Sequence, residues 1–196
     1  MALRLVVYDR NSSAGRLLVS AWRVGGQLYR TLGRIDARYG ASSWADALTW
    51  LASHRAPEPL AEVQFWGHGL WGQAMIGQSC LDASVLRPSH PQHQALLAVR
   101  ARLVPDTGLW WFRTCSTFGT AKGHAFASAW ARFLGCRVAG HTFIIGFHQS
   151  GLHSLGPSEQ PSWPIDEGLT AAQPAWSRPS APNTITCLHG KIPPGF

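Results

Sequence analysis

The feature that most constrains this chain is a succession of short apolar runs, each ended by turn residues and followed by a segment whose apolar side chains recur at helical spacing. Residues 3–8 are apolar and β-branched and stop at Asp9-Arg10-Asn11-Ser12-Ser13, as a buried first strand followed by a loop would. Leu17, Leu18, Ala21, Trp22, Leu28, Tyr29 and Leu32 then follow at near-helical intervals, interrupted by Gly25-Gly26, which predicts a helix ending at Gly33. Residues 34–39 alternate apolar and charged side chains up to Gly40, the pattern of a half-exposed strand. In Ser43-Trp44-Ala45-Asp46 an N-cap residue precedes an acidic one by three positions, and Trp44, Ala47, Leu48 and Leu51 continue the helix.

The pattern repeats downstream. Residues 61–66 read as a strand running into Gly67-His68-Gly69, residues 96–103 as a helix, and the bulky run at 109–112 as a strand buried on both faces that leads to Cys115. Residues 121–134 carry Ala121, Ala125, Phe126, Ala129, Trp130, Phe133 and Leu134 and close at Gly135, a helix with a glycine stop. Residues 136–140 and 143–147 supply one or two further strands. This alternation predicts an α/β fold, a three-layer α/β/α sandwich on a mainly parallel central sheet. Such sheets place their sites beyond the C-terminal strand ends.

The 196 residues, 45% hydrophobic and 14% charged, suffice for one packed domain, placed here at residues 1–156. Residues 157–196 are rich in proline yet contain Trp163, Ile165, Leu169, Trp176, Ile185 and Leu188, so they are expected to pack on the same domain as an irregular arm. Residues 185–188 are its expected strand. The net charge of +7 would draw anions, but the arginines are scattered and no nucleic-acid-binding motif is present, so no nucleic-acid partner is expected. Charges break the N-terminal apolar stretch too early for a signal peptide and no later stretch spans a membrane, which predicts a cytoplasmic protein.

The chemistry rests on two residues. A thiol nucleophile needs a base to raise its thiolate fraction, and a histidine within reach is the usual base. His68 and Cys115 each follow an apolar strand, so neighbouring parallel strands would bring both to one rim. The glycines beside His68 let backbone approach a reacting carbonyl, and the amides of Gly69 and Cys115 offer an oxyanion site. Trp66, Trp71 and Arg113 flank these positions as candidate substrate contacts. Cys80, Cys136 and Cys187 read as small core hydrophobes, the four cysteines forming no CxxC pair. Ser116 is a competing nucleophile without a GxSxG elbow. His90-Pro91-Gln92-His93 lacks metal-ligand form and no HExxH occurs, so no metal and no cofactor is expected.

Over roughly residues 3–147 the order of elements resembles the caspase-like family of cysteine peptidases, which includes caspases, gingipains, separases and CHAT-type domains. Phe65-Trp66-Gly67-His68-Gly69 is similar to the family's apolar strand and His-Gly pair. Trp111-Phe112-Arg113-Thr114-Cys115-Ser116-Thr117-Phe118-Gly119 is similar to its apolar strand, cysteine and nearby glycine. Cys115 follows His68 by 47 residues, against roughly 50 in caspases. The resemblance implies a peptidase acting on a protein or peptide substrate, with His68 as base and acid, Cys115 as nucleophile and Gly69 as oxyanion donor. Caspases have Gln-Ala before the cysteine and Arg-Gly after it, where this chain has Arg113-Thr114 and Ser116-Thr117, so aspartate specificity does not carry over. The alternative is a catalytically silent module of the same fold that binds a partner protein.

Overall fold

The computed structural model describes residues 2–11 and 16–196. Its centre is a six-stranded sheet built from β1 (Leu3–Asp9), β2 (Ala37–Ala41), β3 (Leu60–Trp66), β7 (Leu109–Arg113), β8 (Arg137–His141) and β10 (Leu152–Leu155), in the order β10-β8-β7-β3-β1-β2. All pairings are parallel except that of the edge strand β10 with β8. Four α-helices connect or cover the strands among the described residues: α1 (Arg16–Thr31), α2 (Trp44–Ser53), α3 (His93–Arg100) and α4 (Thr120–Leu134). None of them is long and apolar enough to cross a membrane.

Strand alternation sorts the side chains into two unequal layers. Leu5, Val63, Phe65, Trp110 and Phe112 point to one face, where α2, α3 and α4 cover them with Trp44, Leu48, Leu96, Val99, Phe126 and Trp130. Their neighbours point the other way. Val6 and Trp66 meet Tyr29 of α1, while Trp111 and Ala139 meet Leu152 and Ile185. That second face therefore has a single helix, and the C-terminal arm takes the place of another.

Local signals account for the helix ends. Ser43 caps α2 by accepting from the Asp46 amide at 3.1 Å. Gly135 closes α4 in the left-handed conformation. Several expected boundaries move, however. The strand read at 34–39 is Ala37–Ala41 and the helix read at 96–103 is His93–Arg100. The buried side of α4 is Gly123, Phe126, Ala127, Trp130 and Leu134, which leaves Ala121 and Ala125 in solvent. Residues 143–147 are a loop and not a strand, because their backbone bonds are divided: Phe143 accepts from Ser116, while Ile144 bonds to Ala175 and Ser177 of the arm.

Between β3 and α3 lies a hairpin of β4 (His68–Gly69), β5 (Ala74–Ile76) and β6 (Ser79–Leu81). Its first turn is Leu70-Trp71-Gly72-Gln73, with positive φ at both Trp71 and Gly72 and paired Leu70–Gln73 backbone bonds, the geometry that matches strand twist in two-residue hairpins. The arm after Gly156 adds two short pairings, β11 (Leu169–Thr170) with β12 (Gln173–Pro174), and β13 (Ile185–Thr186) with β9 (His148–Gln149). Of its apolar residues Trp163 and Ile185 are buried, whereas Ile165, Trp176 and Leu188 are exposed, contrary to expectation.

Candidate active site

β3 and β7 are adjacent and parallel, with Phe65 opposite Phe112 and Trp66 opposite Arg113. Both chains leave the sheet at the same edge. β3 passes through Gly67 into β4, and β7 passes through Thr114 to Cys115, after which Ser116 takes a positive φ of 49° and turns the chain toward α4. His68 and Cys115 thereby line one cavity of about 440 Å³. Its walls come from α1, the β8–β9 loop and the arm, through Trp22, Leu28, Phe147 and Leu188. The His68 ring meets Trp22 edge-on at 5.7 Å between centroids.

The Cys115 thiol is half-buried, with its sulfur 3.9 Å from the Ile145 carbonyl oxygen. Burial pushes its pKa above the ordinary 9.0, so the resting group is a neutral thiol. Ser116 differs: it is fully buried and its hydroxyl has no hydrogen-bond partner among the described residues, so it offers no nucleophile to the cavity.

Gly69 has a packing reason to be glycine. A Cβ there would fall 2.2 Å from Thr117 Oγ1 and 2.8 Å from Thr114 Cβ. The Leu70–Gln73 bonds put Gly69 opposite Ala74 at a non-hydrogen-bonded ladder position, which turns the Gly69 amide away from its hairpin partner. The Thr114 and Thr117 hydroxyls bond each other at 2.5 Å, and Thr117 also donates to Gln73, so the hairpin is fastened to the turn that carries Cys115.

The three flanking candidates separate. Trp66 lines the cavity. Trp71 stands at the hairpin tip, its amide bonded to the Ser116 carbonyl and its ring beside Gly119. Arg113 lines the cavity but is 5% exposed and internally engaged. Nε and Nη2 donate to Gln149 Oε1 at 3.1 and 2.6 Å, and Nη1 donates to the Tyr29 hydroxyl at 2.8 Å and the His189 carbonyl at 3.1 Å. Its guanidinium also lies over the rings of Trp111, Trp66 and Tyr29 at 4.4, 5.5 and 5.7 Å. Arg113 thus holds the floor together.

Sequence reasoning missed Tyr29, Gln149 and Cys187. The Tyr29 hydroxyl lies 2.8 and 2.6 Å from the Cys187 and His189 carbonyl oxygens, which share its one hydrogen, and the Cys187 amide donates to the Phe147 carbonyl, so the arm closes one side of the cavity. The apolar run at 185–188 is the one signal that pointed there. Among the described residues no group of three or more His, Cys, Asp or Glu side chains is placed to hold a metal ion. Compared with known proteins, the chain matches no family model, no curated protein and no solved structure.

Proposed function

We propose that this chain is a cysteine hydrolase of caspase-like type that cleaves peptide bonds through an acyl-enzyme. The observation that supports it is the emergence of His68 and Cys115 from neighbouring parallel strands into one cavity. The resting thiol is protonated, so its proton moves as the bond forms. His68 takes that proton while the sulfur attacks the carbonyl carbon, and the carbonyl electron pair shifts to oxygen, facing the amides of Gly69 and Cys115. The imidazolium then protonates the leaving nitrogen, the C–N bond breaks and the amine departs. Water attacks the thioester, its proton passes by way of His68 to the departing sulfur, and the acid product leaves a restored thiol.

The test is turnover of a mixed peptide library by the wild type, Cys115→Ala and His68→Ala. Cys115→Ala should abolish turnover, and His68→Ala should lower it by about 100-fold or more, the ordinary contribution of a positioned base. Both variants should melt near the wild type. A folded wild type that hydrolyses no peptide would instead favour the silent, partner-binding module.

A further inference from the structure

The cavity beside Cys115 is defined as much by the charges it lacks as by the groups it holds. No acidic side chain of the described residues lines it, so it offers nothing to pair with a lysine or arginine. Among the described residues its one constitutive cation is Arg113, whose N–H groups already go to Gln149, Tyr29, Gln64, His189 and Cys187. A substrate carboxylate would have to compete with these partners for its N–H groups. A charged side chain placed there would lose its water without gaining a partner, which is strongly unfavourable.

What the cavity presents is apolar. Trp22, Trp66 and Ile145 line it, and large hydrophobic side chains stand open to solvent at its mouth: Leu18 at 40%, Leu28 at 42%, Leu188 at 51% and Phe147 at 59%. These four come from α1, the β8–β9 loop and the arm, segments far apart in sequence, yet they converge on one opening. Exposed apolar surface gathered from separate elements around a cavity marks a place that a ligand covers.

Resting on the hydrolase reading, we propose that this cavity seats the side chain of the residue whose carbonyl Cys115 attacks, and that this side chain is large and apolar: leucine, methionine or an aromatic. Cleavage then falls after such a residue. Arg113 sets the cavity's shape without reading charge.

The test uses fluorogenic peptides identical except at the residue before the cleaved bond, which is leucine, phenylalanine, aspartate or arginine. The wild type should turn over the leucine or phenylalanine peptide with kcat/KM at least about 10-fold above both charged ones, as expected when one of the two must leave its charge unpaired. Leu28→Asp, a change on an exposed helix surface, should cut the leucine preference and raise the arginine peptide relative to it. Binding of the same peptides, uncleaved, to Cys115→Ala is followed by fluorescence anisotropy. Apolar peptides should bind it in preference to the charged ones. Preference for aspartate or arginine in either assay overturns the assignment while leaving the hydrolase intact. Apolar binding to Cys115→Ala with no turnover by the wild type removes the hydrolase and keeps the cavity only as a seat for a large apolar side chain of a bound peptide. Neither binding nor turnover of any peptide by folded protein overturns both.

Discussion

His141 ends β8 fully buried, its ring near-parallel to Trp111 at 6.3 Å and its Nδ1 donating to the Ser150 carbonyl at 3.2 Å. Nε2 is buried with no partner among the described residues, so a second proton there would sit dry and face the Arg113 charge. Burial first, and Arg113 second, lower its pKa from 6.5 to about 3. Between those values the unfolded chain binds a proton that the folded ring refuses. The stability His141 contributes is therefore complete above pH 6.5 and declines as pH falls through the window, by about 1.4 kcal/mol per unit. Urea denaturation should show a loss of about 2 kcal/mol between pH 6.5 and 5, and His141→Gln, which keeps an N–H for Ser150, should lose much less over the same range. Equal losses would mean that the folded ring accepts the proton.

Elements differ in how plainly the sequence announces them, for physical reasons. β7 is legible because a strand covered on both faces is a continuous apolar run, and β3 because Val63, Phe65 and Trp66 still mark a strand around the polar Glu62 and Gln64; the two lead into His68 and Cys115. α4 is legible as a helix, but its buried side is decided by Phe126, Trp130 and Leu134, and alanines such as Ala121 and Ala125 are too small to mark a face. Residues 143–147 look like a strand because they are apolar, yet no single neighbour offers them a ladder. The roles of Tyr29, Gln149 and the Cys187 carbonyl were not legible at all, since they arise where α1, a loop and the arm meet. Arg113 fastens that junction, and Arg113→Met should test it. Losing the guanidinium leaves the buried Gln149 amide oxygen and the part-buried Cys187 and His189 carbonyls with fewer donors, which should cost about 3 kcal/mol. Limited proteolysis should then cut within residues 183–192 faster than in the wild type. An unchanged melt and digestion pattern would show the arm to be held by packing alone.

At the scale of the whole molecule, one sheet face has three helices and the other has α1 and the arm, and the arm adds Trp163 to the first core and Ile185 to the second. Trp163 is 5% exposed, stacks on Phe118 and His153 at 5.7 and 4.5 Å and donates to the Phe118 carbonyl at 3.1 Å. Four residues on, Glu167 accepts from the Thr142 hydroxyl at 2.7 Å and contacts His153 Nε2 at 2.6 Å. Burial alone would raise the Glu167 pKa, but the His153 and Thr142 contacts and the nearby His124 hold it below the usual carboxylate value. Further along, Ile185 is buried against Trp111, Ala139 and Leu152, and Ile192 and Phe196 pack on the edge of that cluster. Burying Trp163 and Ile185 stabilises by about 1.5–3 kcal/mol each, and removing them also uncovers Trp111 and Leu152. Against a net stability of about 5–15 kcal/mol for a domain, that is a large share. A chain ending at Gly156 should therefore lose its cooperative thermal transition and bind a hydrophobic dye such as ANS. A chain ending at Gly190 keeps Trp163, Glu167, Ile185 and the carbonyls that meet Arg113, and gives up the half-buried packing of Ile192 and Phe196 and the 2.6 Å hydrogen bond from Ser154 Oγ to the Phe196 carbonyl. It should melt cooperatively with a loss of about 1–2 kcal/mol. Should the chain ending at Gly156 melt as sharply and as high as the full chain, residues 157–196 would be an appendage and the cavity wall they form would have to be assigned elsewhere.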